Sequence, residues 1–207
     1  MKNSPQVSKE HYFQLSYDNK RRWLHYWYQI HLVLKLKPKE LLEIGIGSAI
    51  VSNYLRDRGV KITTLDIDPN LKPDVVASVL NIPFENNSFE LVLAAEVLEH
   101  LPFKDFIPAL EEIKRVTKKY AIISLPDKRH VLIYLGLKLP FIEQKNIFIK
   151  SPSLKKHVFN GQHYWEIGKL RYSLKRIRND IKKSGFKISN DFTPFDAPWN
   201  HYFILEK

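Results

Sequence analysis

Five short apolar runs, at residues 41–44, 61–66, 75–77, 91–95 and 120–125, are separated by turn residues and by segments with helical spacing. Runs of this length read as strands, and strands that are apolar on both faces must be covered above and below. Strands alternating with helices meet that demand as a parallel, doubly wound sheet, so the spacing predicts an α/β fold. Between the runs, Val51, Tyr54 and Leu55 lie on one helix that Ser48 would cap, and Leu110, Ile113 and Val116 lie on another.

The flanks are less regular. Over residues 18–37, Trp23, Trp27, Ile30 and Leu34 recur at helical spacing, which predicts a helix whose aromatic stripe covers the edge of the core and which Pro38 stops. After Pro126 the alternation lapses for about forty residues, read as an insertion. An amphipathic helix is then expected over residues 167–184, ended by Gly185, with closing strands at 186–188 and 201–205. A chain of 207 residues, 44% apolar, is long enough for one substantial core and too short for two full domains. We divide this single domain into a helical cap (1–38), a core (39–128), a lid-like insertion (129–166) and a last helix with closing strands (167–207).

Composition narrows the setting. The chain has no cysteine, which excludes disulfides and thiolate metal sites and fits a reducing, cytoplasmic environment. Residues 1–10 are polar, without the apolar core of a signal peptide, and no transmembrane segment is expected. The net charge of +11 is uneven: residues 129–207 hold 15 Lys and Arg against 6 Asp and Glu. Much of this excess (Arg171, Lys175, Arg176, Arg178, Lys182, Lys183) interleaves with Leu170, Leu174, Ile177 and Ile181, as on the solvated face of an amphipathic helix.

In a doubly wound sheet a ligand binds at the carboxyl ends of the strands, where strand order reverses. The Gly45-Ile46-Gly47 turn would sit there, its glycines allowing close backbone approach, and Asp66 ends the next strand, placed to accept hydrogen bonds from both hydroxyls of an adenosine ribose. The pair also suits a nicotinamide dinucleotide. Ile50 stands where that fingerprint wants Gly or Ala, which tells against it.

Four blocks sharpen the reading: Leu42 to Ser48, Leu65 to Asp68, Ile82 to Leu93, and Glu96-Val97-Leu98-Glu99-His100-Leu101. In order and spacing they resemble the type 11 class I S-adenosylmethionine-dependent methyltransferases. The resemblance implies a Rossmann-like, seven-stranded sheet, mostly parallel with an antiparallel last strand, and S-adenosyl-L-methionine as cofactor. It places Glu43, Gly45 and Gly47 around the methionine part, Asp66 on the ribose, and Ser78 and Val79 beside adenine. Many relatives carry Asp where Ser78 stands, and Ala49 replaces the third glycine of the family turn, a mild change if its backbone is helical. Ala94, Ala95 and Glu96 are expected under the sulfonium and the acceptor. Glu96, Glu99 and His100 would share one face of a helical turn as positioning groups, and no metal is assigned. His163, which matches a histidine that often precedes the last helix in the family, and His100 are the candidate catalytic bases. The expected acceptor is a small molecule or a glycan or lipid precursor, methylated on O or N. An RNA methyltransferase, with nucleic acid as the less favoured partner, and a cofactor-binding protein without catalysis are the alternatives.

Overall fold

A computed structural model describes residues 5–138, 140–141, 144–153 and 155–207. Parts of the N-terminal stretch (1–4) and of the insertion (139, 142, 143 and 154) lie outside the described residues.

The five predicted runs form β1 (Glu40–Ile44), β2 (Lys61–Asp66), β3 (Val75–Val76), β4 (Phe89–Ala95) and β5 (Thr117–Pro126). With β8 (Lys187–Phe192) and β9 (Asn200–Glu206) they make a seven-stranded sheet in the order β3-β2-β1-β4-β5-β9-β8. β1 to β5 pair in parallel, and β9 runs antiparallel to both β5 and β8. The order reverses between β1 and β4, which puts a crevice at their carboxyl ends.

Both faces of the sheet are covered because the central strands are apolar on both. Helices α3 (Phe106–Val116) and α4 (Leu174–Lys183) bury Phe106, Leu110, Ile113, Ile177 and Ile181 against one face. On the other, α1 (Lys20–Leu36) and α2 (Ile50–Asp57) bury Leu32, Val33, Val51 and Leu55 with Leu41, Leu91 and Leu93. No helix among the described residues is long and apolar enough to cross a membrane.

Three local expectations are corrected. In α1 the buried residues are His25, Tyr26, Gln29, Leu32 and Val33, while Trp23 and Trp27 stay half exposed and Trp27 stacks on His31. The polar members of that inward face hid it from a reading by hydrophobicity. Ser48 does not cap α2: Ala49 stands there with φ 59°, outside helical geometry, and the Ser48 hydroxyl bonds that of Tyr26 at 2.9 Å. The last helix starts at Leu174, because Gly168 (φ 93°) and Arg171 (φ 74°) bend the chain before it and the Ser173 hydroxyl accepts from the amide of Arg176. Within the insertion, β6 (His130–Leu137) and β7 (Lys145–Ser151) form an antiparallel hairpin outside the main sheet.

Candidate active site

A cavity of about 710 Å³ opens at the carboxyl ends of β1, β2 and β4. The turn after β1 forms its floor. Gly45 has φ 81°, and a Cβ there would overlap Val97 Cγ2, so only glycine fits both the backbone and the neighbour. Ala49, at φ 59°, is the position where the family's third glycine would be unstrained, so its replacement is not the mild one expected.

Asp66 supports this turn and faces the cavity. Its Oδ2 accepts from Ile46 N and its Oδ1 from Asp68 N, both at 2.9 Å. Burial pushes its carboxyl up, partly offset by these amides. Glu43 is buried in the cavity wall, its Oε2 has no hydrogen-bond partner, and burial pushes its carboxyl up to about 8. An unpartnered oxygen buried there carries a desolvation penalty of roughly 1–3 kcal/mol, and a cationic group beside it would relieve that penalty by favouring the ionised carboxylate. Gly47, Ser78 and Val79 line the same cavity, Ser78 with its hydroxyl accepting from Leu80 N at 3.2 Å.

At the end of β4 the structure separates what the sequence grouped. Of the two alanines expected there, Ala94 faces the hydrophobic core, and the alternation of the strand turns only Ala95 to the cavity, with Glu96. Glu96 has φ 56°, a left-handed conformation costing a non-glycine residue about 1–3 kcal/mol. It is held by the Glu96 amide bonding Ser124 O at 3.1 Å and the Ser124 hydroxyl donating to Glu96 Oε1 at 3.2 Å. Glu99, by contrast, is fully buried with both oxygens unpartnered, and burial, then the charge of Glu96, push its carboxyl well above the usual range.

Two histidines meet beside it, with ring centroids 5.1 Å apart. His100 Nδ1 lies 2.7 Å from Gln6 Oε1 and 3.1 Å from Gln162 O, two acceptors, so that nitrogen carries the proton and Nε2 keeps a lone pair. Burial pushes His100 down to about 4. His163 Nδ1 lies 3.0 Å from Glu166 Oε1, a carboxylate that burial raises but that His163, Lys128 and His157 hold low. The segment carrying His163 is fastened by Tyr164 N donating to Glu99 O at 2.9 Å and Trp165 Nε1 donating to Leu101 O at 3.1 Å. Glu99, His100 and His163 each bring a ligand atom within 4.8 Å of the others, a set able to hold a divalent cation. Glu96 is outside this group, and His163, 63 positions from His100, is in it.

Tyr26 of α1 lines the cavity, and the sequence reading missed the rest of that wall, Gln6, Tyr12, Tyr17 and Arg22. Tyr12 and Tyr17 meet edge to face at 5.4 Å and the Arg22 guanidinium sits 4.2 Å over the Tyr17 ring. Tyr12 also covers Gly47, and burial and the charge of Asp66 push its hydroxyl up to about 12. The dense tyrosines at 12 and 17 were the available signal, but nothing local ties them to a turn thirty residues on.

The fold and crevice define a Rossmann-like domain for a nucleoside-type cofactor. Residues 42–125 match the model of the methyltransferase domain family, a family that uses S-adenosylmethionine, and the sheet has the Rossmann-like fold of solved methyltransferases. An uncharacterised protein of Methanocaldococcus jannaschii is 30% identical over 143 residues, 64% of this chain and 60% of that protein. The ribosomal RNA small subunit methyltransferase A of Mesomycoplasma hyopneumoniae is 32% identical over 72 residues, 35% of this chain and 26% of that one. This chain thus spans less than two thirds of the curated relatives it matches. Among solved structures, the Burkholderia thailandensis 1,6-didemethyltoxoflavin N1-methyltransferase, with 1,6-didemethyltoxoflavin and S-adenosylhomocysteine bound, shares the fold. It has a TM-score of 0.61 at 14% identity over 99% of this chain and 92% of that one.

Proposed function

We propose that the protein transfers the methyl group of S-adenosylmethionine to an oxygen or nitrogen of a small-molecule, glycan or lipid-precursor acceptor held beside His100 and His163. The observation that carries this is one cavity with a ribose-type carboxylate and glycine turn at one end and two imidazoles, each with its Nδ1 engaged, at the other. Its size is that of a small-molecule site, about 300–1,000 Å³.

Bound S-adenosylmethionine supplies a methyl group already activated on a sulfonium. The chain's part is alignment and exclusion of water. Glu43 faces the cationic end, Asp66 the ribose, and the Tyr12–Tyr17–Arg22 wall closes the side. When the acceptor is a hydroxyl, His163 Nε2 receives its proton, and Glu166 stabilises the imidazolium through Nδ1. His100, neutral near pH 7, positions the acceptor. The absence of cysteine supports a cytoplasmic setting. The ribosomal RNA enzyme's name gives RNA as a rival acceptor, but the basic helix is partly spoken for inside the fold. Arg178 pairs with Asp191 at 2.7 Å, and Arg176 lies over the Phe103 ring. Calorimetry should show S-adenosylhomocysteine binding in preference to NAD, and equal or tighter NAD binding would overturn the reading.

A second reading, that Glu99, His100 and His163 hold a divalent cation, is favoured by their convergence. Burial and the neighbouring charge of Glu96 oppose ionisation of Glu99, whereas a ligand must be ionised. Turnover is therefore expected to survive EDTA. Loss on chelation that Mg²⁺ or Zn²⁺ restores, with no such restoration in Glu99→Ala, would make the trio ligands.

A further inference from the structure

Among the described residues, one apolar face of the β6–β7 hairpin has no covering element. Register places Ile133 opposite Ile149 and Leu135 opposite Ile147, and directly opposed residues share a face of the ribbon. These four side chains are 44–54% exposed. On the reverse face Tyr134 opposes Phe148 and stacks on Phe195, with centroids 3.9 Å apart. That face meets the domain through Phe195, although Tyr134 itself is 52% exposed. Phe141, in the turn, is fully exposed. An exposed apolar ribbon of this kind invites association and is seldom left bare.

The root is built to hold it. Asp127, at the end of β5, pairs with Arg129 at 2.7 Å and with the buried Lys150 of β7 at 2.8 Å, and Lys150 also donates to Pro198 O at 2.6 Å. The hairpin is thus fixed at the carboxyl edge of the sheet, the edge at which the cavity opens.

Charge selects the occupant. Residues 128–162 contain seven Lys or Arg and a single acidic residue; Arg129 and Lys150 are held by Asp127, and Lys128 lies 3.8 Å from Glu166. Lys145 stands in register with Leu137 beside the apolar face, and Lys128, Lys155 and Lys156 are exposed near the root. Two copies stacked on this face would bring lysines together with almost no acid to pair them. Nucleic acid would meet the lysines but gain little from a layer of Ile and Leu. Aliphatic side chains ringed by cations match an anionic lipid surface, where apolar burial and electrostatic attraction act together. A two-stranded ribbon cannot cross a bilayer, because its edge amides would go unpaired in hydrocarbon. Lying at the interface, it keeps those edges among hydrated headgroups.

We propose that the Ile133–Leu135–Ile147–Ile149 face of the hairpin docks the protein on anionic membrane surfaces, a binding function separate from methyl transfer. The test is sedimentation of the full chain with vesicles of phosphatidylcholine, alone or with about one quarter phosphatidylglycerol. Binding is expected only to the anionic vesicles, weakening with salt. Lys145→Glu should weaken it by at least about fivefold, the value of one charge near the surface. Leu135→Asp/Ile147→Asp should abolish it, while S-adenosylhomocysteine binding stays unchanged and reports an intact domain. No vesicle binding by wild type, or equal binding by the double variant, overturns the proposal. So does a dimer in sedimentation velocity that the double variant dissolves without any vesicle binding, which would assign the face to a second copy. Capture of a mixed RNA pool at physiological salt, lost in Lys145→Glu but kept in the double variant with no lipid binding, would assign the charge to RNA instead.

Discussion

In Asp66→Ala the affinity for S-adenosylhomocysteine is expected to fall by about tenfold or more, and the protein to lose stability with it. The two losses have different origins. Asp66 Oδ2 already accepts the amide of Ile46 and Oδ1 that of Asp68, the Ile67 amide also bonds the carboxylate, and of its about four acceptor positions the others remain. Those remaining positions face the cavity, where a vicinal diol could donate to both oxygens, each bond to a charged acceptor contributing roughly 1.5–3 kcal/mol. Alanine removes these bonds and also leaves the amides without an acceptor, at about 1–3 kcal/mol for each that stays buried. Calorimetry with S-adenosylhomocysteine measures the first loss and urea unfolding the second. A variant that is less stable but binds with unchanged affinity would show that Asp66 serves the turn alone. Asp68, which lines the same cavity and is buried, would then be the next candidate.

Trp165→Ala is expected to cost about 3–5 kcal/mol of folding stability, the range for removing a large aromatic from a core. Trp165 is fully buried, edge to face with Phe103 at 5.0 Å and Phe106 at 4.9 Å, and donates to Leu101 O. It also ties the strand of chain carrying His163 to the turn carrying Glu99 and His100. Under conditions where the variant remains folded, turnover should therefore fall more than cofactor affinity, because Asp66 and the glycine turn lie on other elements. Trp165→Phe should recover most of the stability. Urea unfolding of both variants decides the matter, and a change below about 1 kcal/mol in Trp165→Ala would show that the neighbours close the gap.

The parts of this protein legible in the sequence are those in which local pattern and burial demand the same thing. The apolar runs that became β1, β2, β4 and β5 had to be strands covered on both sides, and the Gly45 turn and Asp66 follow strands by one step of chain, so their places at the sheet's carboxyl edge were set by connectivity. The sequence alone also carried the family blocks, which lie within the matched residues or adjoin them. Tertiary structure decided whatever depends on distant chain. Ala94 and Ala95 look alike in sequence, and only the pleat of a strand with two different faces tells core from cavity. His163 joins Glu99 and His100 only because Trp165 is anchored in a core assembled from α3 and the approach to α4. The inward face of α1, with its His25, Tyr26 and Gln29, opposes hydrophobic periodicity, since it packs partly on polar groups that other elements supply. The hairpin's apolar residues lie in the insertion, to which the sequence assigned no strand. Only the folded chain, whose sheet is already complete and whose single paired face meets Phe195, leaves them in the open.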